Sequence, residues 1–310
     1  MLRRRLCSFL VILLVLNLVL FHTASGEEQQ DLFMDLPEGE SDVLPIDLSG
    51  GYTPDQACYL SDTVYADPSV TVKIEEYTYK KTRCFVAWIR VADPSQLRTA
   101  PAYDFTRDQV DTPLNIANRM KAVVAVSGDF CSYWSQLQGG YMVRQGTMYM
   151  NQPINGRDTL LIDDHGDFHI VTTTTAEKIE EITGNYQIVN SLNFGPGLVV
   201  DGVCLDKDYG AAFNQSNEYH QRAAICQMGE NEYAFAVCEG KWMEDTKGLT
   251  IADWAQFLYG LGFQQAYNLD GGNSTALVFN GEKINEPGNP NHRQLSDIIY
   301  IADAASANKE

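Results

Sequence analysis

Apolar positions fall into short runs cut by Gly, Pro, Asp and Asn, a pattern that predicts many short strands and few helices. Residues 70–79 (VTVKIEEYTY) partly alternate, 84–91 (CFVAWIRV) are mostly apolar and stop at Asp93-Pro94, and 122–126 (AVVAV) run into Ser127-Gly128-Asp129-Phe130. Further strands are expected at 141–144, 147–149, 160–163 and 168–171, and then at 223–227 and 233–237 as a hairpin around Gly229-Glu230-Asn231. Strands at 266–269 and 298–301 complete the set. Thr112-Pro113 supplies an N-cap and first-turn proline for a short helix through Arg119. The clearest helix follows Thr250: Ile251, Trp254, Ala255, Leu258 and Leu261 share one face, and Gly262 stops it. Without regular strand–helix alternation, these elements predict an α+β fold. It is expected to be a single domain of mixed, mainly antiparallel sheet with a few helices.

The ends read differently. Arg3, Arg4 and Arg5 precede an apolar stretch at 6–21, followed by Ala24, Ser25 and Gly26. Basic, apolar and small residues in that order make 1–26 a signal peptide or, uncleaved, a membrane anchor. Either places the remainder outside the cytoplasm, secreted or anchored. Residues 27–51 are acidic and aperiodic and read as a flexible spacer. The domain is then expected over 52–303, with a polar, frayed tail at 304–310.

The formal charge of the chain is -19, and without the three leader arginines 19 basic residues face 41 acidic ones. Such a surface repels nucleic acid and anionic lipid, so membrane contact is expected only through the N-terminal segment. Apart from Cys7 there are six cysteines (58, 84, 131, 204, 226 and 238), which permit either disulfides in any of 15 pairings or buried thiols. No Cys/His spacing indicates zinc, and P-loop, HExxH, GxSxG and EF-hand motifs are absent.

What stands out is a local design used three times, in which an apolar run ends in small residues beside a polar group. It occurs at 123–130 (VVAVSGDF), 191–199 (SLNFGPGLV) and 266–279 (AYNLDGGNSTALVF). Glycine there lets backbone amides approach a ligand closely.

In order, SGDF, GYMVRQGTMY, RDTLLIDDHGDF, FGPGLVVDG, QRAAI, VCEG, NLDGG and LSDIIYI resemble the phosphodiester glycosidase domain, over about 67–302. The combination of FGP and NLDGG at this spacing carries the resemblance. Three positions depart from the family pattern: Ser127 replaces an Asn, Gly197 an Ala, and Asn273 a third glycine.

The resemblance implies hydrolysis of a sugar-1-phosphodiester in a glycoconjugate, wall polymer or exopolysaccharide. A non-catalytic carbohydrate- or wall-binding module and a glycosyl-phosphate transferase are the alternatives. The chemistry needs a carboxylate for the oxocarbenium-like centre or its water, and donors for the phosphate. Asp270 and Asp129 are the expected catalytic carboxylates. Arg222 is the expected phosphate ligand, with backbone at Gly195, Gly197, Gly271 and Gly272. Asn268, Asn273, Ser274, Thr275, Ser127, Gly128, Arg144 and Glu239 complete the expected substrate contacts. No cofactor is required by this chemistry, and a divalent cation held by the carboxylates and carbonyls near NLDGG is left open.

Overall fold

The computed structural model describes residues 32–106, 108–130, 140–205, 216–240, 246–286 and 293–309. The expected signal or anchor segment and Cys131 lie outside them.

Nine strands form the larger sheet. From one edge they run Tyr59–Ser61, Val64–Ala66, Val70–Tyr79, Thr82–Val91, Glu232–Cys238, Arg222–Gly229, Gln265–Leu269, Gly197–Val200 and Val203–Cys204. A five-stranded sheet orders Glu282–Lys283, Leu277–Phe279, Ala122–Ser127, Asp297–Ala302 and Leu97–Pro101. A three-stranded sheet (Phe168–Val171, Thr159–Asp163, Ile188–Leu192) and the hairpin Gly140–Arg144 with Thr147–Gln152 flank them. Pairing within the described ladders is antiparallel throughout.

Period-two alternation decides which face each residue takes. Phe85, Ala87, Ile89, Phe235, Val237, Ile225 and Leu269 leave the larger sheet on the side that meets Val124, Val126, Leu277, Phe279, Ile299 and Ile301 of the smaller one. On the opposite face, Val86, Trp88, Ala234, Ala236, Ala224 and Ala266 form a bed of mainly small side chains. Into it the helix Ile251–Gly260 sets Trp254, Ala255 and Leu258. Likewise Ala125, Ile298 and Tyr300 on the outer face of the smaller sheet receive Ile116 and Ala117 of the helix Pro113–Arg119. The order is therefore helix, sheet, sheet, helix.

Both expected helices form with the expected caps, as Thr112 and Thr250 accept from the amides of Asn115 and Asp253. Among the described residues, the helix Ala176–Thr183 and the strand Ile188–Leu192 add to the sequence-based elements.

Two expectations are corrected at the ends. Residues 32–51 are laid along the domain: Phe33 meets Trp88 edge-on with ring centroids 5.4 Å apart, and Leu44 is buried. Buried Arg98 donates to the carbonyls of Pro45, Asp47 and Ser49, so it draws in the backbone that satisfies its charge. The tail is likewise tied down. Ala304 and Ala305 are buried, Asp42 N–H donates to the Ala304 carbonyl at 2.8 Å, and Lys309 pairs with Asp42 at 2.7 Å. A few anchor residues outweigh the acidic composition.

Candidate active site

The site grows from two strand ends. Ala122–Ser127, in the smaller sheet, delivers Gly128 and Asp129, while Gln265–Leu269, in the larger, delivers Asp270. Ser127 Oγ donates to the Asp270 carbonyl at 3.3 Å, and Asp270 N–H donates to the Gly128 carbonyl at 3.4 Å, joining the two sheets where the candidate carboxylates emerge.

Asp270 is only 8% exposed, and its Oδ2 has no hydrogen-bond partner among the described residues. Burial lifts its carboxyl from the ordinary value to about 7, and the charges of Asp297 and Asp129 push the same way. Arg293 and the Ser274 hydroxyl pull it down, although Ser274 Oγ lacks the geometry of a hydrogen bond. Around Asp270, Asn268 Oδ1, Ser274 Oγ and Thr275 Oγ1 are also buried without a partner among the described residues. Four such atoms within eight residues are unusual, because buried polar groups are nearly always satisfied. They form a prepared set of donors and acceptors for something the protein binds.

Asp129 is different. Its Oδ1 accepts from the amides of Asn193 at 2.8 Å and Phe194 at 2.6 Å, and its Oδ2 accepts from Arg144 Nη2 at 3.1 Å. The same Nη2 reaches Asp297 Oδ2 at 3.3 Å, and Asp297 Oδ1 accepts the Asp129 N–H at 3.0 Å. Arg144 is fully buried and donates also to the carbonyls of Ser191 and Val143. Burial raises Asp297 to about 6, with Arg144 opposing. A Cβ at Gly128 would collide with the Asp297 carboxylate, so glycine is needed there for close approach rather than for backbone freedom. The structure thus gives Asp129 and Arg144 a bracing role. Asp297, at the head of LSDIIYI, is the carboxylate that sequence reasoning missed. Its signal was the same juxtaposition of an acid and an apolar run that marked Asp129 and Asp270. Among the described residues no three His, Cys, Asp or Glu side chains converge as metal ligands, and the positive charge between Asp129 and Asp297 is that of Arg144.

Arg222 lies beside the site, and its guanidinium donates to the carbonyls of Leu249 at 2.9 Å and Glu218 at 2.8 Å. Burial lowers it to about 10, so it remains a cation at neutral pH. These two contacts make it a brace for the carbonyls of Leu249 and Glu218. Two of the glycine amides expected to face phosphate are already committed. Gly197 N–H donates to Asp158 Oδ2 at 2.9 Å, and Gly272 N–H donates to the Gln221 carbonyl at 2.8 Å. Gly195 adopts φ +63° and its carbonyl accepts from Asn268 Nδ2 at 2.8 Å, which fixes the asparagine. Gly271 packs so closely on Gln221 that a Cβ would stand 2.7 Å from its carbonyl oxygen. Glu239 is buried at the end of its strand and accepts from Glu286 N–H at 2.8 Å.

The family model of the phosphodiester glycosidases matches residues 120–302, more than half of the chain and all of the site just described. The chain belongs to the phosphodiester glycosidase family. Within this family's fold, the catalytic domain of zebrafish N-acetylglucosamine-1-phosphodiester alpha-N-acetylglucosaminidase, auto-inhibited by its pro-peptide, superposes with a TM-score of 0.60. Identity is 16%, over 91% of this chain and 94% of that one. A hypothetical protein from Synechocystis gives a TM-score of 0.54 at 14% identity, over 79% of this chain and 64% of that one. These two likenesses establish a shared fold. In sequence, the SPbeta prophage-derived uncharacterized protein YomE of Bacillus subtilis (strain 168) is 22% identical over 258 residues, covering 79% of this chain. The chain spans only 39% of the length of that relative. Asn273, where the sequence departs from the family pattern, is exposed in the 3-10 turn Gly272–Ser274.

Proposed function

We propose that this protein hydrolyses the bond between an anomeric carbon and a phosphodiester oxygen, outside the cytoplasm. The observation that carries the proposal is Asp270, a buried carboxyl with an unpartnered oxygen, set among the unpartnered polar atoms of Asn268, Ser274 and Thr275. In its ionised form Asp270 accepts a proton from water as the water oxygen bonds to the anomeric carbon. The carbon–oxygen bond to phosphorus breaks, and its electron pair leaves with the phosphate monoester. That leaving group departs as a stabilised anion and needs no proton. The reaction therefore calls for one carboxylate in this position, with Asp129 and Asp297 holding the strand ends in register. The hydroxyl of Thr275 and the amide oxygen of Asn268, unpartnered among the described residues, are suited to sugar hydroxyls.

The extracytoplasmic setting is supported by the basic, apolar and small-residue order of the N-terminal segment. Among the described residues no helix is long and apolar enough to cross a membrane. Sugar-1-phosphodiesters of wall polymers and exopolysaccharides are the substrates such a setting would supply. Incubation of the protein with a panel of sugar-1-phosphodiesters, followed by assay of free sugar, tests the reading. Release of reducing sugar with at least one member is expected, and tight polysaccharide binding without release from any would contradict it.

A further inference from the structure

Against the turn Gly272–Ser274, which follows Asp270, lies a cavity of about 100 Å³ lined by the polar residues Thr112, Asn273, Ser274, Lys283 and Arg293 and by apolar residues that include Pro113 and Val278. By volume it holds about three water molecules, or one group of that bulk. Two cations converging on one small cavity stand out in a chain of net charge -19. We propose that this cavity is an anion subsite that takes the phosphoryl group of the substrate, with Lys283 and Arg293 as its charged ligands and Ser274 Oγ as a hydrogen-bond donor.

Three observations on different atoms support it. Ser274 is 1% exposed, its Oγ has no hydrogen-bond partner among the described residues, and it lines the cavity. The charge of Arg293 is close enough to lower the Asp270 carboxyl, so an anion held at Arg293 lies within electrostatic reach of the proposed catalytic group. Lys283 is half-buried on the short edge strand Glu282–Lys283, and burial brings its ammonium down to about 8. Glu286 and Glu239 act on Lys283 in the opposite sense, yet burial prevails, leaving a cation that a bound anion would stabilise. Glu239 is itself engaged by the Glu286 amide and by Arg83 at 3.6 Å. The apolar wall suits the carbon skeleton of whatever the phosphate carries.

The subsite rests on the phosphodiester reading of Asp270, but its test does not require turnover. Inorganic phosphate is titrated into the full chain by calorimetry, for the unsubstituted protein and for Lys283→Met, Lys283→Arg, Arg293→Gln and Asp270→Asn. Phosphate should bind the unsubstituted protein, weaken about tenfold or more with Lys283→Met and with Arg293→Gln, and be largely restored by Lys283→Arg. Asp270→Asn should keep phosphate affinity, because it removes a nearby negative charge. Should Lys283→Met fail to fold, exposed Arg293 carries the test by itself. Absence of phosphate binding, or equal affinity in all variants, overturns the subsite even if phosphodiesters are cleaved. Lysine- and arginine-dependent binding without cleavage of any phosphodiester upholds the subsite and removes the hydrolase reading instead.

Discussion

The carboxylates of Asp129 and Asp297 share one nitrogen, Arg144 Nη2, at 3.1 and 3.3 Å, and all three side chains are essentially cut off from solvent. The pair joins the strand end that carries Ser127-Gly128-Asp129 to the head of its neighbour Asp297–Ala302, so the guanidinium sits at the hinge between site and core.

Removing that guanidinium leaves two buried acids facing each other. Arg144→Met should destabilise the protein by about 3–5 kcal/mol at neutral pH, measured by urea or guanidinium unfolding. Because burial already raises Asp297 to about 6, acidification through that range protonates it, and the deficit should shrink on going from pH 7 to pH 5. A deficit that is small at pH 7, or that grows on acidification, would show that the bridge does not hold the fold.

Asp270 makes the opposite prediction for stability. Its folded pKa, about 7, lies above the ordinary 3.8, so the folded state binds its proton more tightly than the unfolded chain. Stability from this group is therefore full below pH 4, declines as pH rises towards 7 and stays low above. Asp270→Asn should stabilise the protein at pH 8 by up to about 4 kcal/mol, with the gain vanishing near pH 4. Denaturant melts of both proteins at the two pH values give the comparison, and equal midpoints at pH 8 would remove the buried-carboxyl account.

The same shift fixes a limb of the rate profile. If ionised Asp270 accepts the proton from water, kcat/KM should rise with pH from 5 through about 7. A fall across that interval would instead make Asp270 a proton donor.

Cys84 and Cys238 are direct register partners on adjacent antiparallel strands, both fully buried, and their thiols are in contact. The flanking pair is hydrogen-bonded, Glu239 N–H to the Arg83 carbonyl at 2.9 Å, so the cysteines occupy the close, non-hydrogen-bonded position. Exchange with a small disulfide oxidant transfers two electrons and two protons to the oxidant and should join these two among the described cysteines. Peptide mapping after oxidation reads it out, and a bridge involving Cys58, Cys204 or Cys226 in preference would contradict the pairing.

Much of the fold was legible because period two and the caps at Thr112 and Thr250 are local properties. Ile188–Leu192 escaped because buried Asn190 and Ser191 interrupt its apolar pattern. The acidic stretch misled for a related reason: the partners that order it, Arg98, Trp88 and Ala304, are remote in sequence. At the site, Asp270 could be read from NLDGG, and its neighbours followed. That Asp129 and not Asp270 takes up the amides of Asn193 and Phe194 could not, since those amides are remote in sequence. Lys283 and Arg293 carry no motif and converge only through folding.

The central claim is that Asp270 is the carboxylate that makes this protein a phosphodiester glycosidase. It is tested most directly by comparing the unsubstituted protein with Asp270→Asn on a sugar-1-phosphodiester that the former cleaves, measuring free sugar and phosphate monoester together. The account predicts equimolar release by the unsubstituted protein and a loss of about 10²-fold or more in the variant, whose unfolding transition remains cooperative. Release at an undiminished rate by Asp270→Asn would contradict it.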